Sequence, residues 1–120
     1  MSDTLSVVRA ALDSQLGAVG AALPSAPPVT LYKVMNKTFA ILEVRKVQYL
    51  ILKCDPHLAE VLREQYQAVG HRTHLDRRFW IAINLDGDVP TDQIVGLIAL
   101  SYDLVCVALT RKQKAELAAI

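Results

Sequence analysis

Apolar residues first recur every three or four places, at Leu5, Val8, Leu12, Leu16, Val19 and Leu23, which predicts an amphipathic helix from about Asp3 to Leu23. Gly17 and Gly20 loosen its last turn. Pro24-Ser25-Ala26-Pro27-Pro28 cannot continue it, because proline lacks a backbone donor and restricts the residue before it, so this run is expected to be a short stiff connector. The period then shortens. Thr30 to Val34 and Thr38 to Val44 read as strands around Met35-Asn36-Lys37, where Asn36 suits a left-handed turn, and Arg45-Lys46 turns the chain into a third strand, Tyr49 to Cys54.

Asp55-Pro56 places a capping carboxylate and then a proline where a helix begins. Leu58, Val61, Leu62 and Tyr66 recur at helical spacing with Glu60, Arg63, Glu64 and Gln67 between them, and Gly70 is the expected stop. His71 to Arg78 has no apolar period and reads as an exposed loop. Phe79, Ile81, Ile83 and Leu85 then alternate with Trp80, Ala82 and Asn84 as a strand, and Asp86-Gly87 turns the chain, a positive-φ role for the glycine. Asp88 or Thr91 caps a long apolar helix to about Leu109. Thr110 with Gln113 forms a capping box for a terminal helix that turns Leu117 inward and Lys112 and Lys114 outward.

The fold expected is therefore α+β: an N-terminal helix, a three-stranded antiparallel meander, a helix, a further strand and C-terminal helices packed on the sheet. The alternation puts Ile41, Ile51 and Trp80 on one sheet face and Leu42, Leu50, Leu52 and Ile81 on the other. Since a solvated face should be polar, the second face calls for cover by a helix, by the basic loop or by another copy of the chain.

At 120 residues and 52% hydrophobic, the chain has enough apolar material for one core, and residues 1–120 read as a single domain. There is no basic leader before an apolar run. The longest apolar stretch, Ile94 to Leu109, is broken by Ser101 and Asp103 and falls short of a membrane span, so a cytoplasmic protein with no membrane partner is expected. Cys54 and Cys106, in no metal-binding or C-x-x-C spacing, suit a reducing compartment.

The formal net charge of +1 conceals an asymmetry: residues 33–53 carry five cations against Glu43 and residues 71–78 three arginines against Asp76, which leaves −5 for the remainder. Such a distribution favours an anionic partner on one side of the molecule.

LKCDPHLAEVLREQY, HLDRRFWIAINLDGDVP and SYDLV, with KVMNKTFAIL upstream, resemble the MmcQ/YjbR family in the right order from about Tyr32 to Leu117. The resemblance implies an α+β fold and DNA binding through a double-wing motif. Asn36, Asp76 and Phe79 stand where the family often has glycine, asparagine and histidine.

The leading reading is nucleic-acid binding without catalysis, by the hairpin Lys33 to Phe39 and the loop Arg72 to Trp80. Lys33, Lys37, Lys53, Arg72, Arg77 and Arg78 would meet phosphates, and His74 or Trp80 would stack on a base. Set against it is a solvated loop whose arginines only keep the protein soluble, with Trp80 packed under a neighbour and Lys53 lying along the sheet with its ammonium in solvent. The alternative function is protein interaction or self-association through the semi-apolar second face, as a monomer or weak homodimer.

Three chemical readings are weaker. His71, His74 and Asp76 in a loop without cysteines are better read as surface residues than as metal ligands. Asp86, Asp88 and Asp92 imitate a calcium loop but have Thr91 at its glycine position and Leu97 at its glutamate position. Cys54 precedes a helix N-terminus, whose dipole can activate a thiol, yet it reads as a packed residue. No glycine-rich phosphate loop, H-E-x-x-H or G-x-S-x-G occurs, and no cofactor is expected.

Overall fold

The computed structural model describes residues 4–72 and 75–120, and of residues 26–28 only the backbone. Its elements run α1 (Thr4–Ser14), β1 (Ala18–Leu23), β2 (Ala26–Val34), β3 (Lys37–Val44), β4 (Gln48–Lys53), α2 (Pro56–Gln65), β5 (Val69–Gly70), β6 (Trp80–Asn84), α3 (Thr91–Val107) and α4 (Arg111–Ala118). The strands form one antiparallel sheet in the order β1-β2-β3-β4-β6-β5. The expected α+β architecture is present, with a meander of four strands in place of three.

The extra strand comes from the end of the expected first helix. Val19 and Leu23 satisfy a helical period by coincidence, but they also satisfy a period of two with Ala21, and Gly17 decides between the readings. Its φ of +74° is left-handed, a conformation that ends a right-handed helix and that side chains tolerate poorly. The chain leaves α1 there and returns as β1, paired with β2 from Ala18–Val34 to Leu23–Ala26. Pro24 and Ser25 correspondingly make the turn between the strands, and Ala26 to Pro28 begin β2 in place of the expected free connector.

Other local expectations hold. Met35 and Asn36 both have positive φ, as a tight hairpin requires. One Asp55 carboxylate oxygen accepts from the His57 and Leu58 amides at 3.1 Å each, capping α2 ahead of Pro56. The Thr110–Gln113 capping box opens α4. Helix α2 stops earlier than expected, at Gln65, and Gly70 belongs to β5. Asp88 does not cap α3; its two carboxylate oxygens accept from the Gln67 and Ala68 amides at 3.0 and 2.9 Å, and Pro90 precedes α3 without a side-chain cap.

The helices share one core with the inner sheet face: Val8, Leu12, Phe39, Leu50, Leu52, Leu62, Ile81, Ile83, Ile94 and Ile98 are all fully buried in it. Two details shape the sheet's end. Between Tyr32–Ala40 and Lys33–Thr38 the register slips, and the extra residue, Phe39, turns into the core, where its ring meets Tyr102 edge-on at 5.5 Å. Beside it the buried Ser101 hydroxyl donates to the Phe39 carbonyl at 2.6 Å and accepts from the Lys53 amide at 2.9 Å, so α3 is bonded into the ladder between β3 and β4.

Gly87 is needed for room and not for positive φ: a Cβ there would lie 2.3 Å from the Ala68 Cβ. Gly87→Ala should therefore cost about 1–3 kcal/mol of stability in chemical denaturation. Gly96→Ala, on the exposed side of α3 with no atom within 4 Å of the new methyl, should instead gain roughly 0.5–1 kcal/mol.

Candidate nucleic-acid interface

Strand register decides which basic residues can act together. Along β4, Leu50, Leu52 and Cys54 face the helical core, so Ile51 and Lys53 face the other way. Lys53 pairs with Trp80 on β6, and Lys33 pairs with Thr38 on β3, at the same end of the sheet. Lys33, Lys53 and Trp80 thus stand in a cross-strand row on the outer face. Three strand spacings separate β2 from β6, so the row spans roughly 14 Å. Lys37 sits exposed at the first residue of β3, beside the hairpin tip, and Arg77 and Arg78 lie three and two residues before Trp80. Two segments far apart in sequence become one cationic end.

The loop is held there by its own chemistry. The Asp76 carbonyl accepts from the Phe79 and Trp80 amides at 3.0 Å each, and its carboxylate accepts from the Arg78 amide at 2.9 Å. The same carboxylate pairs with the Arg78 guanidinium at 2.8 Å. Hydrogen bonds from Arg78 hold the Asp76 carboxyl below the usual carboxylate range. Arg78 is thereby ion-paired, and its guanidinium also lies 5.3 Å from the Phe79 ring centroid.

Helical spacing gives Arg63 no role beyond the solvent side of α2. One of its nitrogens donates to the Arg77 carbonyl at 2.7 Å and to the Trp80 carbonyl at 2.9 Å, tying α2 to the loop, while burial and the nearby Arg77 charge lower its affinity for its proton. Arg63, Arg77 and Arg78 line a small groove of about 160 Å³ with Pro56 and Glu60. Spacing on α2 placed Arg63 on the solvent side, and only the returning loop makes it a clamp.

Arg72 is not part of the cationic end. It reaches toward the opposite end of the outer face, where Glu43 pairs with Tyr49 across the ladder, and lies over the Tyr49 ring at 5.3 Å. Its guanidinium nitrogen is 3.0 Å from Glu43 Oε1 and 3.4 Å from Oε2, aligned as a hydrogen bond only with the latter. Arg72 therefore supplies part of the cover that the second sheet face calls for, over Glu43 and Tyr49; Glu43, Ile51 and Ala82 are buried on that face. His74 lies outside the described residues.

Cys54 is buried at the end of β4, and its amide donates to the Phe79 carbonyl at 2.7 Å. Burial, with the Asp55 carboxylate adding to it, pushes its thiol from an ordinary 9.0 to about 11, outweighing any help from the start of α2. Among the described residues no three His, Cys, Asp or Glu side chains converge as metal ligands would, and no helix is long and apolar enough to cross a membrane.

An antiparallel sheet backed on one face by helices, with a basic hairpin and loop at one end, defines the class of domain. A model of the YjbR family matches residues 15–104, and the chain belongs to that family. It is 39% identical over 74 residues to the uncharacterized protein YjbR of Escherichia coli K12, a match covering 61% of this chain and 63% of the relative, so it spans less than two thirds of that protein's length. The same figures hold for YjbR of E. coli O157:H7. The crystal structure of Deinococcus radiodurans protein DR2400, from the DUF419 domain family, superposes with a TM-score of 0.84 at 26% identity, over 95% of this chain and 87% of that one. A Pseudomonas syringae protein shares the fold at a TM-score of 0.70 and 19% identity, over 87% of this chain and 98% of its own.

Two measurements check this geometry. In a Cys106→Ser background, Cys54 should react with a thiol reagent at neutral pH on the order of a hundredfold more slowly in the folded than in the unfolded protein, with a rate that climbs toward pH 11. Fast modification at neutral pH would mean an activated thiol. Arg72→Ala should lower stability by about 1–3 kcal/mol, because the buried Glu43 carboxylate loses its cation; Glu43→Gln in the same chain should recover part of the loss.

Proposed function

We propose that this protein binds nucleic acid, without catalysis, through the cationic end formed by Lys33, Lys37, Lys53, Arg77, Arg78 and Trp80. The observation that carries the reading is the register that sets Lys33, Lys53 and Trp80 in one row between the hairpin tip and the Arg77–Arg78 turn. A row of roughly 14 Å compares with a major groove about 12 Å wide, so the hairpin and the loop are spaced to meet phosphates on its two sides. Trp80, half-buried on the outer face, offers an aromatic surface beside Lys53 for an unstacked base. The family resemblance points the same way, as an analogy of fold. Arg72 is assigned to stability and not to binding, because its charge is spent on Glu43.

Lys33, Lys37, Lys53 and Arg77 carry no ion pair among the described residues. Four neutralised phosphates predict a plot of log affinity against log salt with a slope of about −3 to −4 on duplex DNA. Titrations at several salt concentrations test this. Lys53→Ala should reduce the slope by about one unit, whereas Arg72→Ala, studied under conditions where it is folded, should leave it unchanged. Binding without a salt slope, or none at low salt, rules the reading out.

A further inference from the structure

The two edges of the sheet are finished differently. At one side β5 is only two residues long and is followed directly by the loop that carries Arg72 back over the outer face. At the other side, among the described residues, β1 pairs with β2 alone and presents a free edge over Ala18–Leu23. Natural sheets blunt such edges with charge, proline, a short strand or a covering element. The sequence AVGAAL contains no charge and no proline, four successive residues from Val19 to Ala22 are exposed, and the register slip falls only at the final pair, Ala22–Leu23. Every second residue of an antiparallel edge directs its N–H and C=O away from the sheet, so this edge presents unsatisfied donors and acceptors in the spacing that another strand matches.

The outer side of the same hairpin is apolar. Val19 is 65% exposed, and with Ala21, Leu23, Leu31 and Met35 it lines a groove of about 430 Å³ that Lys33 borders. We propose that a second copy of this chain pairs antiparallel along the β1 edge, joining two six-stranded sheets into one. The strand fits itself. Antiparallel partners must lie on the same face, and a two-fold axis through Ala21 sets Val19 of one copy against Leu23 of the other. The small Gly20, Ala21 and Ala22 occupy the centre, where the backbones approach, and a segment without charge brings no like-charge repulsion to a self-contact. The pairing also extends the apolar groove of each hairpin into its mate, where water is excluded from both.

This inference is independent of nucleic-acid binding and is tested without any. Sedimentation equilibrium over a wide concentration range, in nucleic-acid-free protein, should show a monomer–dimer equilibrium. Val19→Lys with Ala21→Lys, both at exposed positions, should weaken it at least tenfold with little change in melting temperature. Leu104→Lys, on the exposed side of α3, should not weaken it. Hydrogen exchange on the unaltered protein gives a second readout, as amides of residues 18–23 should gain protection with concentration while those at the α3 surface do not. A monomer at every concentration overturns the proposal. So does a dimer that survives the β1 lysines but is lost in Leu104→Lys, or one that forms without protecting β1.

Discussion

With its helical layers committed to one side of the sheet, the molecule must find other cover for an outer face that is also apolar, and most of its distinctive features follow from that constraint. Part of that cover is Arg72, which lies over Tyr49 and against Glu43. A buried carboxylate in a strand is expensive unless a cation reaches it. Glu43 therefore fixes where Arg72 lies, while Asp76 and Arg63 hold the segment from Arg77 to Trp80.

The opposite end of the same constraint is set by Ser101. By bonding to the Phe39 carbonyl and the Lys53 amide, it occupies the place where the β3–β4 ladder would continue. The ladder stops, Phe39 turns inward, and the chain moves on through Lys53 and Cys54 into α2. Lys53 is left on the outer face as the middle member of a row that no single stretch of sequence contains. The same junction buries Cys54, whose thiol is pushed away from reactivity by the apolar packing that makes the end of the sheet rigid. Charge is thus gathered at one end of the sheet, beside the junction that buries Cys54.

Basic residues in the loop look equivalent in sequence and are not equivalent in the fold. Arg72 neutralises a buried charge, Arg78 is paired with Asp76, and Arg77 has no acidic partner among the described residues. Arg63, which helical spacing assigns to the solvent side of α2, anchors the loop through two backbone carbonyls. Counting charges along the chain overstates the cationic surface by the two that are paired, and it misses the one that positions the rest.

What the sequence determined by itself is local: the caps at Asp55 and Thr110, the left-handed turn at Asn36, the meander and the strand beginning near Trp80 all follow from side chains acting within a few residues of themselves. The tertiary structure decided what depends on distant partners. Gly17 ended a helix whose apolar spacing ran on to Leu23, because period three-to-four and period two coincide at Val19 and Leu23 and only pairing with β2 separates them. Arg72 went to Glu43, Arg63 to the loop and Asp88 to the α2–β5 turn for the same reason: a hydrogen bond between residues 14 to 29 positions apart leaves no periodic trace in the chain.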